Sequence, residues 1–267
     1  MIKRITRTGI PLLVLLFLYV PILMLALYSF TDSTQIGAIR SFTLKNYVTL
    51  FTTPELQNMI LGTVILALVS AILATLLGTL GAIGAFYSKK STASLIDTVN
   101  QIPVINADVV TGFSLCILLV VVLGISKESY LPLLFGHVTL SAPFVYLSVM
   151  PKLKQMDSSL YEAALDLGAR PFQALIKVVV PQILSGMISG FSLAITLSLD
   201  DYFIATYTKP ATFDTISTYV VNATKGSQTS IKTALWALST LIFLIVILIV
   251  LVRNLRTKRN ERKEERV

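Results

Sequence analysis

Residues 58–87 read NMILGTVILALVSAILATLLGTLGAIGAFY, thirty residues without a charge, inside an uncharged run bounded by Glu55 and Lys89. A helix of roughly 20 apolar residues crosses the hydrocarbon of a bilayer, and a soluble core of this size does not need an apolar stretch this long. Working outward, three more charge-free runs lie between Arg7 and Asp32, Glu128 and Lys152, and Lys232 and Arg253. Two others are interrupted only by acids: Asp97 to Lys127 by Asp108, and Lys177 to Lys209 by Asp200 and Asp201. The expectation is about six spans, at roughly 9–31, 58–87, 99–125, 130–150, 178–206 and 233–252. A spanning segment must close its own backbone hydrogen bonds, and no ten-residue alternation of barrel strands is visible, so all six read as helices. The fold class is an all-α integral membrane protein, a single transmembrane domain over 1–267.

Composition points the same way. Hydrophobic residues make up 54% of the chain, charged residues 13%, and the mean hydropathy is +0.78; soluble domains carry roughly a quarter charged residues. The net charge of +8 is distributed by side. If both ends share one face, that face holds Lys3, Arg4, Arg7, Lys89, Lys90, Lys152, Lys154, Arg170, Lys177 and the basic residues after Val252, sixteen of the 22. Basic loops stay inside, so both termini are expected in the cytoplasm. The basic tail follows a span directly and contains Glu261, Glu264 and Glu265, which favours membrane electrostatics over nucleic-acid binding. The first apolar run is too long for a signal-peptide core and no small-x-small cleavage site follows it, so it reads as an uncleaved helix. A lone cysteine, Cys116, gives neither a disulfide framework nor a metal site. His137 reads as a hydrogen-bonded packing residue of the fourth span.

The longest cytoplasmic connection, Pro151 to Lys177, carries helix grammar. Ser159 with Glu162 fits a capping box. Leu160, Ala163, Ala164 and Leu167 make one apolar stripe. Gly168 suits a helix end and Pro171 the first turn of another. Such a pair of short helices either docks into a groove of a soluble partner or lies on the membrane surface.

The run Glu162-Ala163-Ala164-Leu165-Asp166-Leu167-Gly168, then nine residues, then Val178-Val179-Val180-Pro181 resembles the EAA loop of binding-protein-dependent ABC importer permeases. In that family the pattern is E-A-A, three residues, G, nine residues, I-x-L-P; this chain departs from it only in Val178 and Val180. The resemblance implies a type I importer permease, with coupling helices at roughly 159–172 seated on an ATPase subunit. Glu162, Ala163, Ala164, Asp166, Gly168 and Pro181 would form that coupling element. The segment Phe42-Thr-Leu-Lys-Asn-Tyr47 fits the same family. No G-x-x-x-x-G-K-[ST] occurs, so ATP is expected on a separate subunit and this chain is expected to be non-catalytic, with no cofactor and no metal of its own. A single-chain secondary transporter is the competing class, disfavoured by six helices without an evident internal repeat. A channel would not need the coupling loop.

Asp108, Asp200 and Asp201 bear on what crosses. An ionised side chain at a helix centre costs roughly 2.5–3.5 kcal/mol on insertion scales, and the spans contain no Lys or Arg to offset it. Either burial keeps these acids neutral or they face an aqueous path that receives a cation. Tyr202, Phe203 and Tyr207 lie just beyond, and aromatic faces share ammonium groups with carboxylates. Other uses stay open: Asp200 and Asp201 reaching the outer headgroups, Asp200 capping a helix break, or the acids pairing with bases of a second subunit. On straight helices Asp108 and Asp200 would differ in height by more than about 15 Å, although Pro103 and Pro181 forbid assuming straightness. One compact site and a series of acidic stations therefore fit equally.

The segments Asn106-Ala107-Asp108-Val109-Val110, Gly136-His137-Val138-Thr139, Pro143-Phe144-Val145 and Ser198-Leu199-Asp200-Asp201 resemble the spermidine/putrescine branch of these permeases. That resemblance implies a polyamine path lined by Asp108, Asp200, Asp201, Tyr202, Phe203 and Tyr207. It also implies a second related permease subunit, a pair of ATPase subunits that bind ATP and Mg, and an extracytoplasmic solute-binding protein, all in the bacterial cytoplasmic membrane system. An importer of iron, phosphonate or thiamine would keep the fold without the acid logic.

Overall fold

The computed structural model describes residues 2–31, 41–157, 159–225, 233–244 and 247–248. In chain order its helices are α1 (Ile2–Ser29), α2 (Lys45–Thr52), α3 (Pro54–Tyr87), α4 (Lys90–Ile105), α5 (Asp108–Cys116), α6 (Leu131–Gln155), α7 (Ser159–Asp166), α8 (Pro171–Ala174), α9 (Val180–Asp200), α10 (Phe203–Thr208) and α11 (Ile216–Lys225), followed by α12 (Thr233–Leu244). A wide π-turn extends α5 through Ile117–Val122, and another, Leu175–Val179, joins α8 to α9. Among the described residues the only β pairing is an isolated bridge between Thr31 and Phe42.

Among the described residues, four uninterrupted helical stretches are long and apolar enough to cross a membrane: Gly9–Ser29, Pro54–Tyr87, Leu131–Gln155 and Pro171–Asp200. Lys90–Ile105 and Asp108–Val122 together are apolar enough for a fifth, but the pair is bent by 105°, the geometry of a broken span or a re-entrant loop. The sixth expected span is described chiefly as Thr233–Leu244; most of its remainder to 252 lies outside the described residues. Three expectations are corrected. The third span is broken rather than continuous over 99–125. The fifth does not continue helically to 206, because α9 stops at Asp200 and α10 restarts at Phe203. The second short helix expected within 159–172 is not separate, since α8 runs through its π-turn into α9.

The chain forms two compact units, one of residues 58–219 and one of 1–57 with 220–267. In the larger unit α6 is the hub, and its i, i+4 row of His137, Ser141, Val145, Val149 and Leu153 is buried throughout. Against it α9 sets a row at the same spacing, Gly186, Gly190, Ala194 and Ser198, all buried. The facing side of α3 is likewise small: Ala67, Ser70, Ala71, Ala74 and Ala82 are all at most 1% exposed. Lipid is as apolar as leucine, so membrane helices associate by close approach of small residues, and Val145 shows how close. A Cβ added at Gly78 would sit 2.7 Å from Val145 Cβ, and one at Gly190 would sit 3.0 Å from Val145 Cα. Several of the larger side chains of α3 instead point outward, with Leu61, Ile65, Leu76 and Leu80 each more than half exposed.

In the smaller unit, the Phe42–Tyr47 segment folds back on the end of α1. Asn46 is buried and its side-chain amide donates to the Ser29 and Thr31 carbonyls at 2.8 and 2.9 Å. The Phe30 and Phe42 rings stack at 5.5 Å. Tyr28 meets Trp236 of α12 edge-on at 5.6 Å.

Candidate functional site in the broken spans

Two helix breaks bring the acids together. Pro103 lies in the last turns of α4, where it lacks an N–H and its ring presses on the carbonyl four residues back. Asn106 and Ala107 are then extended, with ψ of 147° and 136°, and α5 begins at Asp108. The Asn106 amide donates to Thr111 Oγ1 at 3.1 Å across this corner. At the second break α9 ends at Asp200 and Asp201 is extended. Asp201 then caps the next helix: its carboxylate accepts the Ile204 N–H at 3.2 Å and the Ala205 N–H at 2.7 Å.

α10 is held between α5 and α6 at two glycines. A Cβ on Gly112 would come 2.9 Å from Ile204 Cα, and one on Gly136 would come 2.6 Å from Ile204 Cγ2. Asp108 and Asp200 are exposed, whereas Asp201 is 8% exposed. Both exposed acids lie within electrostatic reach of Asp201, so the bend at 105–108 sets the start of α5 beside the second break. The aromatics share the locality. Tyr207 packs edge-on against Phe113 of α5 at 5.7 Å, and Tyr202 against Phe203 at 5.3 Å. Phe203 is exposed; Tyr202 and Tyr207 are half-buried. The nearest base along the chain, Lys209, is occupied elsewhere: its Nζ is 3.0 Å from Asp214 and donates to the Phe213 carbonyl at 2.9 Å.

A second constellation lies on the loop after α6. α7 packs inward through Tyr161, whose ring is 5.0 Å from that of Tyr87. Glu162, Ala163, Asp166 and Leu167 face out and Ala164 is half-buried. Leu167, 89% exposed, and Phe172, 72% exposed, form an apolar knob at the turn. Gly168 has φ +86°; the Ala169 N–H reaches the Ala164 carbonyl at 3.0 Å and its own N–H reaches Leu165 at 2.9 Å. This is the Schellman closure of a helix end. The N-terminal cap differs from expectation. Ser159 is the first helical residue, and its N–H is accepted by Asp157 at 2.9 Å, which draws the Asp157 carboxyl below its ordinary range. Pro181 stands exposed in the first turn of α9.

Residues 74–263 match the family model described as "Binding-protein-dependent transport system inner membrane component". The chain belongs to this permease family. It is an ABC importer permease, a multi-pass transport subunit of the cytoplasmic membrane. The permease is similar to the putrescine transport system permease protein PotI of Escherichia coli (strain K12), with 31% identity over 245 residues, covering 88% of this chain and 85% of that protein. It is also similar to the spermidine/putrescine transport system permease protein PotC of the same organism, with 30% identity over 225 residues and 84% of each chain. Among solved structures it matches a chain of a bacterial ABC transporter involved in import of the acidic polysaccharide alginate, with TM-score 0.72, 18% identity, and 95% and 98% coverage. That likeness concerns the fold alone.

One part of the permease's site escaped the sequence. His137 is fully buried; its Nδ1 is 2.9 Å from Ser198 Oγ, and Ser198 receives Ser70 Oγ of α3 at 3.2 Å. Its Nε2 points at Asp201 Oδ2 across 3.7 Å. Packing of His137 through a hydrogen bond was expected; its facing Asp201 was not. The legible signal was Ser198 itself, a polar residue completing the small-residue row of α9.

Proposed function

We propose that the permease passes polyamines, such as putrescine and spermidine, into the cytoplasm by ATP-driven alternating access. The observation that carries this reading is the convergence of Asp108, Asp200 and Asp201 at two helix breaks, with Phe203 exposed beside them and Lys209, the nearest base along the chain, already paired with Asp214. Exposed carboxylates among aromatic rings suit ammonium groups. The two named relatives support the same substrate class. In this reading Asp108 and Asp200 meet the cation with Tyr202, Phe203 and Tyr207, while Asp201 shapes the bend from within.

The importer would contain a second related permease, a pair of ATPase subunits holding ATP and Mg, and an extracytoplasmic solute-binding protein. Glu162, Ala163, Ala164, Asp166 and Gly168 would seat on the ATPase, with Pro181 at the base of the span they pull. Closure of the ATPase pair drives reorientation only if this seat differs in free energy between the two states. The test is competition: unlabelled spermidine is expected to displace labelled putrescine from ATP-dependent uptake, whereas thiamine, phosphonate and ferric iron are not. Inhibition by one of those three instead of spermidine would replace the substrate.

A further inference from the structure

The polar row Ser70–Ser198–His137–Asp201 crosses three helices of the larger unit and is buried along its length, with Ser70, Ser198, His137 and Asp201 0%, 1%, 0% and 8% exposed. With the imidazole proton on Nε2, Ser198 donates to Nδ1 and Nε2–H faces the carboxylate, while Ser70 Oγ lies 3.2 Å from both Ser198 Oγ and the Ala67 carbonyl. The opposite tautomer would aim a lone pair of Nε2 at Asp201, which is repulsive. Nε2 has no hydrogen-bond partner, and at 3.7 Å from Oδ2 it stands less than 1 Å beyond a full bond. A buried unsatisfied donor is costly, so this atom favours any movement of Asp201 toward it. Asp201 in turn holds the first turn of α10 through the Ile204 and Ala205 N–H groups.

We propose that His137 is the positioning residue of the acidic bend: held by Ser198 and Ser70, its Nε2–H orients the Asp201 carboxylate over α10 and so fixes where Asp200, Tyr202 and Phe203 are presented. It touches no substrate. Its influence on transport rests on the path assigned above; its influence on α10 does not.

The side chains of Asn and Gln separate this role from packing. Asn reaches the Ser198 side but is too short for Asp201, whereas Gln places an N–H near the Nε2 position. Hydrogen exchange on the assembled importer in lipid nanodiscs reads the α10 amides directly. In His137→Asn, exchange at Ile204 and Ala205 is expected to rise about tenfold, the effect of losing one contact to a charged group. His137→Gln is expected to stay near wild type, and α3 and α7 amides to be unchanged in both. Equal protection in Asn and wild type overturns the proposal, as does equal loosening in Asn and Gln or loosening spread over the whole unit. In uptake of labelled spermidine, His137→Asn lowers the maximal rate about tenfold at an unchanged half-saturating concentration, with recovery in His137→Gln. A wild-type importer that takes up no polyamine would refute the substrate reading and leave the exchange result to decide the role of His137.

Discussion

Gly168 illustrates how much one residue can carry. A side chain at φ +86° costs roughly 1–2 kcal/mol for an ordinary L-residue and less for Asn. The space around it is open, with nothing within 4 Å of an added Cβ, so the penalty is conformational rather than steric. Gly168→Val is expected to destabilise the α7 turn by ~1–2 kcal/mol and to abolish the stimulation of ATP hydrolysis by loaded receptor; Gly168→Asn should retain most of it. Full stimulation in the valine variant would remove this turn from the coupling element. Gly168 was legible because a helix that must stop in the left-handed region selects glycine almost uniquely. The cap of the same helix was not, because Ser159-x-x-Glu162 offers as good a box as the Asp157 cap actually used. Asp157 has its carboxyl lowered by the Ser159 N–H, so its support of α7 is complete above the ordinary carboxylate range and is lost as pH falls from there through the lowered folded value. Asp157→Asn should remove that acid sensitivity of receptor-stimulated hydrolysis, and a retained acid transition would assign it to another group.

At the scale of helices, the spans themselves were read from charge alone, and Pro54–Tyr87 and Leu131–Gln155 fall within a few residues of the expected 58–87 and 130–150. The breaks were not placed. Pro103 warned of a bend, but its position, at Asn106 and Ala107, depends on the extended backbone that lets Asp108 start a new helix. Pro181 gave the same warning and produced no break, because the preceding π-turn absorbs the missing N–H. Close helix packing was also invisible to a hydropathy reading, since Gly78 and Gly84 look alike in α3. Their surroundings differ: a Cβ at Gly78 meets the Ala142 carbonyl oxygen and Val145 Cβ, both at 2.7 Å, and one at Gly84 meets nothing. Gly78→Ala should therefore destabilise the solubilised protein by about 1–3 kcal/mol, read as a lower melting temperature, while Gly84→Ala should be neutral or slightly stabilising. Equal melting of the two variants would contradict the packing of α3 on α6.

For the whole molecule, the distribution of basic residues sets an orientation that impermeant thiol labelling can check. In a Cys116→Ser background, Ser126→Cys is expected to react from outside intact cells and Ser91→Cys only after the membrane is opened; the reverse pattern would invert the topology. Spans, the helical turn at Gly168 and family were readable because each is a local pattern of residue type and spacing. The acidic bend was only half readable: its residues stood out as unpaired charges, but their meeting depends on two breaks in different helices and on a buried histidine. The central claim, that these acids receive the transported cation, is tested most directly by ATP-driven uptake of labelled spermidine in the Asp108→Asn/Asp200→Asn double variant. A fall of about tenfold or more, equivalent to ~1.4 kcal/mol or more, with assembly and basal ATP hydrolysis intact, is the predicted result; uptake at the wild-type rate would contradict it.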